Sequence, residues 1–281
     1  MTDSALVDVD WLATHLNDDD LIVLDASVPP VVPGFESINS TENFSAIPGA
    51  RRFDYDRDIC KPNSSLPHMM PTPELFEAKV RQLGVNSDST IAVYDDVGLY
   101  ASPRAWWMFR AMGHDRVYVL DGGLPAWIAA GQPTVSSLSL AEIPGDFVAQ
   151  EREQLFCDFN AVLAATEDSH SQIVDARSEG RFNATAPEPR PGVRGGHMPS
   201  ACNLPFARVL ENGKLRSQSE LQSLFQGLAS QEQQVITSCG SGITACVLTL
   251  AAWEIGFRNL SVYDGSWAEW GAPSHLPVVT D

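Results

Sequence analysis

Basic residues are scarce in this chain: 18 Lys and Arg stand against 36 Asp and Glu, for a formal net charge of −18 with His neutral. A surface of that sign repels phosphate backbones and anionic bilayers, which excludes nucleic acid and membrane surfaces as main partners. An anionic small-molecule substrate would need a local basic pocket. The five cysteines, at 60, 157, 202, 239 and 246, contain no C-x-x-C pair. That pattern argues against both a disulfide framework and a structural zinc site. No uninterrupted apolar run approaches a membrane span. The opening MTDSALVDVDW has no basic region followed by an apolar stretch, so no secretory signal is read and the cytoplasm is the default compartment.

What is present suits a soluble globular protein: 281 residues, 44% apolar and 19% charged, are enough for two domains with ordinary cores. The chain reads as one unit written twice. Ile173-Val174-Asp175-Ala176 answers Val23-Leu24-Asp25-Ala26, and Met198-Pro199-Ser200-Ala201 answers Ile47-Pro48-Gly49-Ala50. At an offset of 143, Asp96 falls on Cys239, Gly113 on Gly256, Asp121-Gly122 on Asp264-Gly265 and Trp127 on Trp270. A repeat this long means duplication of a whole domain, because solenoid units are much shorter. Strands at 21–26, 91–94 and 117–120 alternate with helical segments opening near Asp10, Pro73 and Ser102. The fold class is therefore α/β, each half a mainly parallel sheet flanked by helices. The domains are expected at 1–131 and 151–281, joined by a Pro- and Ser-containing linker at 132–150.

The chemistry concentrates in QQVITSCGSGITACVLTLAAWEIG, residues 233–256. A strand leads to Cys239, then to the small-residue loop Gly240-Ser241-Gly242, then to a helix closing at Gly256. Glycines let backbone N–H groups turn inward, and the helix N-terminus adds unpaired amides and the positive end of its dipole. A thiolate at the mouth of such a loop is stabilised, so Cys239 is read as a nucleophile. Cys246, inside the helix, is read as a core thiol. The first half has Asp96 at the equivalent position and a bulkier loop, and so cannot do thiol chemistry. Substrate anions find cations in GRFNATAPEPRPGVRGGH, which holds Arg181, Arg190 and Arg194; Arg194 is read as a solvated surface residue. Asp175 and Arg177 are expected to tie down a strand end, His197 to fix a turn, and Trp106, Trp107, Trp127 and Trp270 to pack in the core.

The loop Cys239-Gly240-Ser241-Gly242-Ile243-Thr244, together with the LPHMMP, SPRAWWM, EPRPG and YDGSWAEWG segments, resembles the tandem-domain rhodanese family over nearly the whole chain. Within it the resemblance is to members that act on 3-mercaptopyruvate, whose loop has Val where this chain has Ile243. The resemblance implies two tandem rhodanese-like domains, the second catalytic. It implies attack of Cys239 on the sulfur of 3-mercaptopyruvate, release of pyruvate, and transfer of sulfur from a Cys239 persulfide to thioredoxin, a small thiol or cyanide. Loop residues Gly240, Gly242, Ile243 and Thr244 would line the substrate with Arg181 and Arg190. Ser241 and His68 would handle protons, with Asp56 as the supporting acid and Asp54 as its alternative. No metal or organic cofactor is implied.

Three other readings are weighed. Thiosulfate sulfurtransferases carry an Arg-Lys pair directly after the cysteine, where this chain has neutral Gly240 and Ser241. A C-x5-R phosphatase or arsenate reductase loop requires Arg at position 245, which is Ala. The intact Cys239 argues against a non-enzymatic regulatory or carrier module, while a role as sulfur relay to a biosynthetic partner stays open.

Overall fold

A computed structural model describes residues 4–40 and 42–280 of the protein. Residues 1–3, the start of the stretch read for a targeting signal, lie outside the described residues, as do 41 and 281. The chain forms two compact units. The first holds residues up to Pro62, Met70–Arg152 and Asn212–Leu215; the second holds Asn63–Met69, Glu153–Glu211 and the chain from Arg216 onward.

In the first unit the elements run β1 (Leu6–Val7), α1 (Val9–His15), β2 (Leu21–Asp25), β3 (Arg51–Arg52), α2 (Pro73–Gln82), β4 (Thr90–Tyr94), α3 (Ser102–Ala111), β5 (Val117–Leu120) and α4 (Gly123–Ala129). In the second they run β6 (Phe156–Cys157), α5 (Phe159–Ala165), β7 (Ser171–Asp175), α6 (Glu179–Phe182), β8 (Cys202–Asn203), α7 (Gln218–Phe225), β9 (Gln234–Ser238), α8 (Ala245–Glu254), β10 (Leu260–Tyr263) and α9 (Ser266–Trp270). The two five-stranded sheets have orders β1-β5-β4-β2-β3 and β6-β10-β9-β7-β8, the same topology twice, with every pairing in them parallel. Strands covered on both faces should be apolar runs. The central ones are: Ile91, Ala92 and Val93 in β4, and Val235 and Ile236 in β9, are at most 1% exposed.

Local signals account for the element ends. Thr72 caps α2, its hydroxyl accepting from Leu75 N, with Pro73 at the first helical position. Asp8 and Asp158 cap α1 and α5 in the same way, each carboxylate accepting from the amide three residues on. The duplication extends to tertiary detail. Trp127 Nε1 donates to Pro133 O at 2.8 Å, and Trp270 Nε1 to Pro277 O at 2.8 Å. Both tryptophans, with Trp106 and Trp107, are wholly buried, as expected of core aromatics. Residues 132–150, expected to join the halves, run over the first unit: Val135 bridges Ala46, Phe147 packs against Phe76 and Phe109, and Gly145 leaves no room for a Cβ beside Val85 O. No helix among the described residues is long and apolar enough to cross a membrane.

The loop after β4 shows what the first unit has in place of a thiol. Asp95 follows the strand and turns its carboxylate into the loop. Oδ1 accepts from Val97 N (3.0 Å) and Gly98 N (2.9 Å); Oδ2 accepts from Tyr100 N (3.1 Å), Ala101 N (2.9 Å), Ser102 N (2.8 Å) and Ser102 Oγ (2.7 Å). A wholly buried carboxylate thus neutralises a ring of inward amides and the N-terminus of α3 at once. Removing it would orphan buried donors. Asp95→Ala should cost about 3 kcal/mol or more, and Asp95→Asn, which keeps one oxygen, less; urea denaturation midpoints read both.

Candidate active site

Cys239 follows β9 directly, at the carboxyl end of the central strand of the second sheet, and is 2% exposed. Its backbone is clamped on both sides. Cys239 N donates to Ser266 Oγ (3.2 Å), whose hydroxyl donates to Tyr263 O (2.8 Å). Cys239 O accepts from Trp267 N and Gly240 O from Ala268 N, both at 2.9 Å. The free amides of the first turn of α9 therefore hold the carbonyls of the nucleophile loop. Gly242, at φ +80°, turns its amide inward, and Gly242 N donates to Cys239 Sγ at 3.1 Å. This is a backbone donor aimed at sulfur, the arrangement that favours a thiolate or persulfide anion. Gly240 has no positive φ, and a Cβ there would lie 3.0 Å from Arg181 Nη2. The glycine lets a guanidinium lie against the loop.

Ser241, Ile243 and Thr244 are each at most 7% exposed. Thr244 precedes α8 without capping it by its side chain; Cys246 N and Val247 N, in the first turn, donate instead to Ile243 O (3.0 Å) and Thr244 O (3.2 Å). Cys246 is fully buried and donates to Gly242 O at 3.3 Å, the core role read from its position. Burial pushes the Cys157 thiol up to about 12 and also raises Cys202 and Cys60. None of those three shares the setting of Cys239.

Arg181 sits on the short helix α6, not in the glycine- and proline-rich loop that follows. Its Nε and Nη2 donate to Glu188 Oε2 at 3.1 and 2.5 Å. Arg190, two residues past Glu188, forms no hydrogen bond or ion pair with another described residue. Arg194 corrects an expectation. It is no solvated surface residue: its guanidinium donates to Trp270 O (2.7 Å), Leu276 O (3.0 Å), Gly271 O (3.3 Å) and Ser274 Oγ (3.3 Å), pinning the C-terminal segment. Four carbonyl and hydroxyl oxygens without charge suit a structural cation. Asp175 and Arg177 do tie a strand end. The Asp175 carboxylate accepts from Arg177 N, as Asp25 accepts from Ser27 N in the first half, and then pairs with the Arg177 guanidinium at 2.6 Å. His197 stacks on Phe182 at 3.8 Å and its Nδ1 lies 3.0 Å from Phe182 O, fixing the turn out of α6.

His68 is half-buried and holds the left-handed conformation at φ +58°, uncommon for a residue with a Cβ. It lies on the segment 63–69, which belongs to the same unit as Cys239; Asp54 and Asp56 belong to the first unit. Asp54 Oδ1 accepts from Asp56 N and Arg57 N, closing a turn, and Asp56 Oδ2 is 3.8 Å from Arg57 Nε. Three residues of the site were not read from sequence: Ser266, Trp267 and Glu188. The first two lie in YDGSWAEWG, and Glu188 in EPRPG, segments whose spacing gave no sign of what they touch.

The pinning role of Arg194 predicts a stability effect. Arg194→Ala should lower stability by about 1.5–3 kcal/mol through orphaned carbonyls, read as a fall in Tm.

Comparison with known proteins fits this geometry. Residues 8–130 and 158–273 each match the family model of the rhodanese-like domain. The 3-mercaptopyruvate sulfurtransferase of Escherichia coli (strain K12) is 40% identical over 282 residues, covering 99% of each chain. Thiosulfate sulfurtransferase of Rattus norvegicus is 37% identical over 277 residues, covering 95% of this chain and 91% of that one. The crystal structure of SseA from Escherichia coli, a 3-mercaptopyruvate sulfotransferase, matches with a TM-score of 0.80 at 35% identity, over 94% of this chain and 99% of that one. The chain belongs to the rhodanese-like family and carries two such domains in tandem.

Proposed function

We propose that this chain is a sulfurtransferase that moves the sulfur of 3-mercaptopyruvate, through a persulfide on Cys239, to a thiol or to cyanide, releasing pyruvate. The observation that carries the reading is the pair of groups that meet at the nucleophile loop: the Gly242 amide 3.1 Å from Cys239 Sγ, and the Arg181 guanidinium, from α6, against Gly240. The first serves a sulfur anion; the second serves a carboxylate. The full-length relative named for 3-mercaptopyruvate supports the choice of donor.

In the first half-reaction Cys239 thiolate attacks the substrate sulfur. The S–S bond forms, the C3–S bond breaks, and the bonding pair stays on C3 as the enolate of pyruvate. The thiol proton of the substrate ends on C3, so no outside oxidant or reductant is needed. In this reading Ser241 and His68 carry that proton, with Asp56, or alternatively Asp54, supporting the histidine. Arg181 and Arg190 hold the carboxylate, and Gly240, Gly242, Ile243 and Thr244 line the substrate. In the second half-reaction thioredoxin, a small thiol or cyanide takes the outer sulfur and restores the thiolate. Residues 151–281 would form the catalytic domain and 1–131 the non-catalytic one, joined through 132–150, in a protein of the cytoplasm.

Intact-mass analysis under non-reducing conditions tests this. Wild type should gain one sulfur atom readily from 3-mercaptopyruvate and poorly from thiosulfate, and Cys239→Ser none. Better loading from thiosulfate makes the chain a thiosulfate sulfurtransferase; with no loading from either donor, Cys239 is no sulfur nucleophile for them and a non-enzymatic binding module becomes the reading to pursue. Arg181→Ala should raise KM for 3-mercaptopyruvate about 10- to 100-fold, the worth of a charge-assisted contact, with kcat far less affected. A His68→Gln enzyme with full turnover would remove the proton relay.

A further inference from the structure

A site for anions has no evident need of a buried carboxylate, yet Glu188 is one. Its side chain is 4% exposed and it bridges two arginines: Oε2 accepts from Arg181 Nε and Nη2, and Oε1 from Arg177 Nη1 at 2.7 Å. Arg177 already has a partner, since Asp175 takes its Nε and Nη2. The four side chains form a chain, Asp175–Arg177–Glu188–Arg181, whose formal charges cancel. Its two arginines both lie against groups at the nucleophile loop. Arg177 lies 4.0 Å over the ring of Trp267, whose amide holds Cys239 O; Arg181 lies against Gly240. Among the described residues, Arg181 Nη1 donates to no protein acceptor, so one edge of its guanidinium is left for a ligand.

Two consequences follow. A free arginine side chain samples many rotamers, and a carboxylate gripping Nε and Nη2 removes that freedom before substrate arrives. The same carboxylate subtracts one charge. Arg181 and Arg190 alone would offer two positive charges, but with Glu188 the site offers one. A keto-acid donor carries one negative charge on its carboxylate, whereas thiosulfate carries two. We infer that Glu188 is a positioning residue that acts through Arg181 and sets the site for a monoanionic, rather than a dianionic, sulfur donor. The inference rests on the sulfurtransferase reading above.

Glu188→Gln keeps the shape and one accepting oxygen but removes the charge. It should raise kcat/KM for thiosulfate about tenfold and lower it for 3-mercaptopyruvate about tenfold through KM, an ordinary effect for one charge at short range in a partly dry site. A residue that merely stabilised the fold would lower both. In an Arg181→Gln background, Glu188→Gln should shift the preference no further. Glu188→Asp keeps the charge but is too short to grip both arginines, so its KM should rise for both donors with their ratio kept within about threefold. An unchanged donor ratio in folded Glu188→Gln, or the same shift in the Arg181→Gln background, overturns the inference. Where Glu188→Gln has no cooperative thermal melt, Glu188→Asp decides: wild-type KM for 3-mercaptopyruvate overturns the positioning role. If wild type gains no sulfur from either donor, the sulfurtransferase reading falls and this inference with it. If wild type loads normally and the variants do not behave as stated, the inference alone falls.

Discussion

Backbone amides that turn inward at the end of a buried central strand need a negative partner, and what supplies it separates the two halves of this protein. In the first half the partner is covalent and permanent: Asp95 accepts from five loop amides and leaves the loop nothing further to bind. In the second half Ser238 occupies the corresponding place, and the inward amide of Gly242 finds the sulfur of Cys239. The scaffold is the same, down to strand order and the tryptophan indole bonds that close each unit. One loop is satisfied by its own side chain, and the other can accept charge that appears during a reaction. Buried donors cost free energy when unpaired, so a duplicated domain that lost its thiol would be unstable unless such a carboxylate took over.

Charge is managed locally because the chain as a whole is the wrong sign for its substrate. At a net charge of −18 the long-range field repels a keto acid. Screening limits that repulsion to about 8 Å at physiological ionic strength, so a basic cluster need only dominate inside its own cleft. The cluster on α6 and the following loop has few cations for that task. It is built as a fixed network, and Arg177 and Arg181 owe their positions to Asp175 and Glu188. Breaking one member of a buried ion pair strands the other.

Much of this was legible in the sequence because it is written in periodicity and in rare residues. The parallel α/β architecture, the duplication and the strand–loop–helix around Cys239 all follow from apolar runs, punctuating glycines and an internal offset. Pro73 marked the start of a helix, and the tryptophans marked the core. Roles that depend on which carbonyls or carboxylates converge in space were not legible. Arg194 looks in sequence like Arg181 and Arg190, yet it alone meets the backbone oxygens of residues 270, 271 and 276. Glu188 sits seven positions from Arg181, too far for any helical pairing rule, and the chain turn between them brings the two together.

That convergence bears on how such a site gains selectivity. Within one fold, preference between a monoanion and a dianion can be changed in the nucleophile loop, by adding cations after the cysteine, or outside it, by removing an acid from the network behind the binding arginine. The two routes are not equivalent. A cation in the loop of residues 240–244 would compete with the space that Gly240 leaves for Arg181. An acid behind the arginine changes the same charge without touching the reacting sulfur. The neutral loop Gly240-Ser241-Gly242 and the buried Glu188 therefore press in one direction: each lowers the positive charge facing the donor, and together they favour the smaller negative charge of a keto acid.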